Sequence, residues 1–272
     1  MTFLDIFQYG FLLRAMAAGS LIAALCAILG IFLVLRRLSL IGDGLAHVTF
    51  GSVALSLFFR LPSAYAALAA IPCVLFSALG ILRLAERARI YGDAAIGIVS
   101  SLGIATGIML ASMAGGFNVD LFSYLFGNIL SISPFELAQT GILFLAVILT
   151  VGLFSRELFA ITFDEDLART SGIRVDRING VLVLLTGLTV VLAMKVVGVM
   201  LISALLILPA VASLQLARGF RTAIILAVVF GVLSVVTGVV VSFLANLPTG
   251  ATIIMINFLA FALAFTLRRL RR

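Results

Sequence analysis

The sequence predicts an all-α, polytopic transmembrane bundle of about nine spans, with residues 1–272 as a single transmembrane domain. Three observations carry this. Hydrophobic residues make up 64% of the chain and charged ones 11%, against about 45–50% and 25% in soluble domains. Apolar runs of helical length recur along the chain, and stretches such as AAGSLIAALCAILGIFLVL are apolar on every face, which excludes the alternating pattern of a membrane β-barrel. Arginines collect after alternate runs.

Taken in order, the runs are Phe7–Leu35, Ser39–Phe59, Pro62–Leu82, Ala94–Met113, Phe135–Phe154, Ile178–Val196, Val199–Ala217, Ala223–Ala245 and Ala251–Leu267. The tract from Ile178 to Ala217 is divided because Lys195 and Gly198 interrupt it. The segment DLFSYLFGNILSIS, Asp120 to Ser133, is too short to cross and reads as a re-entrant or interfacial helix. Basic clusters lie at Arg36–Arg37, Arg83–Arg89, Arg156–Arg177, Arg218–Arg221 and Arg268–Arg272, each two spans after the last. By the positive-inside rule the amino terminus is outside and the carboxyl terminus cytoplasmic. No basic stretch precedes the first run, so that run is expected to be a retained span rather than a cleaved leader. The net charge of +7 therefore marks a membrane side and lipid contact, not a nucleic-acid partner. Cys26 and Cys73 both fall in apolar runs and are expected to be packing residues.

Several function classes lack support. The chain has no GxxxxGK[ST] phosphate loop, and its sole lysine, Lys195, is followed by Val-Val-Gly, so no nucleotide site of its own is expected. Neither a nucleophile elbow nor a histidine with a triad-like partner is visible, which disfavours an enzyme and identifies no catalytic residue. A transporter, a channel or a structural membrane subunit remains.

Three constellations could carry function. Asp43 and His47, in the run opening the second span, are one helical turn apart on one face. Measured along a helix from Arg37, they lie about 9 Å and about 15 Å into a core ~30 Å thick. Ionisable groups at that depth need a partner or a watery path. A carboxylate with an imidazole is half of a four-ligand metal site, which a second copy would complete; the plain alternative is a hydrogen bond that pins helix packing. The second constellation is the cytoplasmic island from Phe163 to Arg174, in which Asp164 is suited to cap a short helix presenting Phe163, Leu167 and Thr170, with Ser171-Gly172 as its stop. It suits docking of a soluble partner, or is an ordinary solvated loop. The third is Val197 to Ala210, where Gly198, Ser203, Ala204 and Ala210 permit close helix approach and Pro209 is expected to kink or break the helix.

In their order and spacing, RRLSLIGDGLAHVTFGSVAL, GDAAIGIVSSLGIATG, SYLFGNIL, FDEDLARTSG and VGVMLISALLILPA resemble the membrane permease family of zinc and manganese uptake ABC transporters. The resemblance covers almost the whole chain. It implies a fold similar to the vitamin B12 importer with one fewer amino-terminal helix, a second permease copy, cytoplasmic ATP-binding subunits and an external metal-binding protein. It places metal handling on Asp43 and His47, ATPase coupling on the helix 163–172 with Phe163, Asp164, Leu167, Ala168 and Gly172, and helix packing or gating on Gly198, Ser203 and Pro209. No permanently bound cofactor is implied. The ion is cargo moved by alternating access, zinc by preference for a four-ligand N/O set, with manganese or ferrous iron as alternatives. A secondary cation carrier or proton-coupled channel using Asp43 and His47 as a relay, and a permease for a metal chelate, are the rival readings.

Overall fold

The computed structural model describes residues 10–60, 63–113, 127 and 132–270, and every regular element among them is helical. The long helices are α1 (Gly10–Leu35), α2 (Ile41–Phe58), α3 (Ser63–Ala88), α4 (Gly92–Met113) and α5 (Pro134–Leu153). Two short helices, α6 (Ser155–Phe163) and α7 (Glu165–Thr170), lead to α8 (Val175–Val197), α9 (Val199–Leu216), α10 (Phe220–Ala245) and α11 (Thr249–Leu270). Eight of these are long and apolar enough to cross a membrane, and α9 supplies a further, shorter apolar segment over Leu201–Leu216.

In lipid there is little hydrophobic drive between helices, so close approach depends on small residues. α2 and α4 run parallel and meet on four glycines: a Cβ built on Gly51 would lie 2.5 Å from the Gly103 carbonyl oxygen, and one on Gly103 would lie 2.7 Å from the Val48 nitrogen. Gly44 and Gly107 similarly admit the side chains of Ile96 and Phe50. α1 receives the Leu206 carbonyl of α9 against Gly30. The buried hydroxyls of α2 turn back on their own helix, Thr49 donating to the Leu45 carbonyl at 2.6 Å and Ser52 to that of Val48 at 2.8 Å. These hydroxyls are thus satisfied without water. α1 and α2 form the centre, with 78% and 72% of their spanning windows buried, while α3, α4, α5 and α11 lie at the periphery.

Punctuation follows local chemistry. Ser-Pro-Phe-Glu opens α5 as a capping box: the Ser133 hydroxyl accepts from the Glu136 nitrogen at 3.2 Å, and the Ser133 nitrogen donates back to Glu136 Oε2 at 2.9 Å. The division of the Ile178–Ala217 tract falls at Gly198, whose φ of 91° and ψ of 151° favour glycine. Gly127, at φ 74°, presses its backbone against the Val197–Gly198 peptide. Apart from Gly127, Ile132 and Ser133, the re-entrant segment expected at 120–133 lies outside the described residues. α9 passes through Pro209 without a break, with Leu205, Leu206 and Ala210 around it buried in the bundle. One expectation is corrected. Cys26 is buried, but Cys73 is exposed on α3, so the packing role fits Cys26 alone.

Candidate metal site and cytoplasmic segment

Asp43 and His47 project from the first two turns of α2. The Asp43 carboxylate occupies the third position of a helix with no side-chain cap, where the unsatisfied N–H groups and the helix dipole favour an anion. His47 Nε2 stands 3.5 Å from Asp43 Oδ2, too long for a good hydrogen bond. That spacing is close to the separation of two ligands on one tetrahedral ion, ~3.3 Å for metal–ligand bonds of about 2.0–2.1 Å. The other carboxylate oxygen, Oδ1, accepts from Ser203 Oγ of α9 at 3.2 Å, which orients the carboxylate from outside the pair. The two side chains remain 24% and 45% accessible for His47 and Asp43, open enough for an ion to reach them. Among the described residues no third His, Cys, Asp or Glu joins them. One chain therefore brings two potential donors together among the described residues.

The backbone around the pair is held by close packing. A side chain on Gly42 would collide with Leu206 of α9, and one on Gly103 would meet the His47 carbonyl carbon at 2.9 Å. Of the residues assigned to packing or gating, Ser203 is thus brought to the metal pair. Gly198 forms the α8–α9 break five residues before it, and Pro209 lies farther along α9.

At the arginine-rich end, the island expected at 163–172 forms the short helix α7, capped by Asp164 and stopped at Ser171-Gly172 as expected, with Phe163 belonging to the preceding helix. Phe163 ends α6, and Asp164 turns extended, at φ −151° and ψ 99°, to cap α7 by accepting from the Leu167 nitrogen at 2.9 Å. Gly172, at φ 83°, lets the chain turn out of α7 as expected. Phe163 and Leu167 are 62% and 63% exposed, whereas Ala168 is buried and anchors the segment instead of presenting it. Phe163 leans on Phe159 and Phe220, ring centroids 4.7 and 5.9 Å apart, and Phe220 in turn meets Phe32 at 5.4 Å.

Sequence reasoning missed the ion network that ties this segment to the bundle. Glu165 pairs with Arg36 at 3.4 Å and with Arg169 at 3.2 Å, and Arg169 donates to Asp176 at 2.6 Å. Burial lowers the Arg36 pKa, against the pull of Glu165, while hydrogen bonds to Glu165 and Asp176 raise that of Arg169. Arg36 immediately follows α1 and leads into α2, so the network joins the α6–α7 segment to the helix that bears Asp43. Its only sequence signal was an arginine already accounted for as a topology marker.

A family model described as the ABC 3 transport family matches residues 8–268. The chain belongs to that family. Its relatives include a protein named manganese transport system membrane protein MntC from Halalkalibacterium halodurans, 34% identical, the alignment covering 96% of this chain and 88% of that one. The high-affinity zinc uptake system membrane protein ZnuB of Haemophilus influenzae is 28% identical over 94% of this chain and 97% of the relative. Among solved structures, PsaBC from Streptococcus pneumoniae in complex with Fab matches at TM-score 0.85 and 32% identity, covering 97% of this chain and 94% of that one. An inward-facing metal-chelate type ABC transporter matches at TM-score 0.76 and 15% identity over 93% and 85%, a likeness of fold. The family places this multi-span bundle among the permeases of ABC transport systems.

Proposed function

We propose that this chain is the permease subunit of an ABC importer that carries a divalent first-row transition metal across the cell membrane. The observation that carries the reading is the Asp43–His47 pair, spaced at 3.5 Å, braced by Ser203 and left without a third ligand. Two copies arranged about a dimer axis supply two carboxylates and two imidazoles, a set suited to zinc. Relatives named for manganese and iron support the wider class, and any N/O site of this kind binds zinc more tightly than manganese. A half-site in each copy also suits passage: the ion is held while the halves meet and released when they part.

In this reading the amino terminus lies outside and the arginine-rich end inside. An external metal-binding protein delivers the ion, and a cytoplasmic ATP-binding subunit docks on the exposed Phe163 and Leu167 side chains, with Asp164 and Gly172 shaping the segment and Ala168 seating it. ATP-driven movement there reaches α2 through Glu165 and Arg36. The test is reconstitution of the permease with its ATP-binding subunit and binding protein in liposomes, with zinc, manganese and iron in competition. Uptake that needs ATP and all three components is expected; metal uptake by the permease alone would identify a secondary carrier instead.

A further inference from the structure

Two grooves flank the cytoplasmic end of α5 away from the Asp43–His47 pair, and the second reaches Phe159 and Phe220, on which Phe163 of the docking segment leans. The first, about 390 Å³, lies between α5 and α8 and is walled by Val151, Val181, Leu182 and Leu185, with Arg174 and Arg177 at its mouth. The second, about 600 Å³, lies between α5–α6 and α10, with Val151 and Ile224 in its wall and Arg156 and Arg221 on its rim. None of the four guanidinium groups makes a hydrogen bond or ion pair among the described residues. Asp176, beside Arg177, is occupied by Arg169 at 2.6 Å. Glu157, beside Arg156, lies outside the lining of the second groove.

The shape of the grooves selects the occupant. Leu185 is ten residues into α8, about 15 Å from the rim, a depth that a soluble protein cannot reach and a lipid chain can. The outer faces of the flanking helices at this level carry Leu149, Leu153 and Ile225, all more than 60% exposed, so the grooves open sideways onto a lipid-facing surface. Basic residues at the mouth of such a groove attract anionic headgroups. In the second groove the donors are supplemented by the start of α10, where Gly219 provides no side-chain cap and no acidic residue occupies the first turn.

We propose that the grooves on either side of α5 hold anionic phospholipids, with acyl chains along Val151, Val181 and Leu185 or along Ile224, and phosphates on Arg174–Arg177 and Arg156–Arg221. Because α5 continues directly into α6, bound lipid fixes the base of the cytoplasmic docking segment. The inference does not depend on the metal reading.

The test uses the whole permease–ATPase complex in nanodiscs made from phosphatidylcholine with a minor fraction of phosphatidylglycerol. Phosphatidylglycerol retained through detergent extraction is quantified by mass spectrometry. Enrichment over the bulk ratio is expected. Affinity at the altered groove should fall about fivefold per arginine removed, or roughly 25-fold for the pair, so Arg174→Gln/Arg177→Gln and Arg156→Gln/Arg221→Gln should each lose about half of the retained lipid and the fourfold variant nearly all of it. The exposed pair Arg83→Gln/Arg87→Gln on α3 should leave enrichment unchanged. Glycerol 3-phosphate in excess should not displace the lipid, since a free phosphate lacks the acyl contacts. Equal retention in all variants, or equal loss in the α3 pair, would overturn the proposal. So would groove variants that shed the ATPase subunit while keeping the lipid, which would make the grooves a protein-docking surface.

Discussion

Gly103→Ala gives a direct reading of how α4 holds the metal pair in place. The added Cβ would sit 2.7 and 2.8 Å from the nitrogen and Cα of Val48 and 2.9 Å from the carbonyl carbon of His47. All three atoms are backbone and cannot rotate away. Restoring ordinary contact near 3.4 Å requires α2 and α4 to part by about 0.7 Å. Metal–ligand distances tolerate only about 0.2 Å, so a displacement of α2 carries Asp43 and His47 together out of register with Ser203 and with the partner copy. Overpacking of this kind costs about 1–3 kcal/mol, partly offset by the roughly 1 kcal/mol by which alanine favours a helix over glycine. Gly97→Ala, in the same helix with no atom within 4 Å of the added Cβ, receives the favourable part alone and serves as the control. Melting temperature in detergent and metal uptake in liposomes are the two measurements. Gly103→Ala is expected to melt several degrees below Gly97→Ala and to lose most uptake, while Gly97→Ala behaves as the parent. Equal melting and full uptake in both variants would refute the claim that this contact positions His47.

Three further outcomes follow from the same geometry. Leu167→Asp, a charge placed on the exposed apolar side chain of α7, is expected to weaken co-purification of the ATP-binding subunit at least tenfold while the permease keeps its melting temperature. Glu165→Gln leaves the mostly buried Arg36 without its counter-charge; the complex should still assemble, with ATP hydrolysis retained and metal uptake per ATP reduced, as the ratio of the two rates will show. Ser203→Ala removes one hydrogen bond to Asp43 and should weaken metal affinity by about 0.5–1.5 kcal/mol, measured by competition with a chromophoric chelator, without abolishing transport.

The membrane class and the span pattern were legible because composition and arginine placement act over whole segments and do not depend on packing detail. The break at Gly198 was legible for a local reason, since a glycine beside the chain's single lysine interrupts an otherwise continuous apolar tract. Pro209 marks a place where an isolated helix would break, and the helix continues there because neighbouring helices enclose it. Asp43 and His47 were visible because ionisable side chains are rare inside an apolar run. Ser203 was recognised only as a small residue, since its contact with Asp43 spans 160 positions and no local pattern encodes it. The Arg36–Glu165 link was hidden likewise, whereas the Asp164 cap and the Ser171-Gly172 stop of α7 were legible from local preference.

The central claim is that Asp43 and His47 handle the transported ion, and uptake by the fully reconstituted transporter tests it most directly. Asp43→Asn and His47→Ala are compared with the parent for zinc, manganese and iron, with ATPase-subunit binding monitored in parallel. Each variant is expected to assemble normally and to lose uptake of every ion. Parental uptake in both, with the same order of preference among the three metals, would show that the pair only packs α2 against its neighbours.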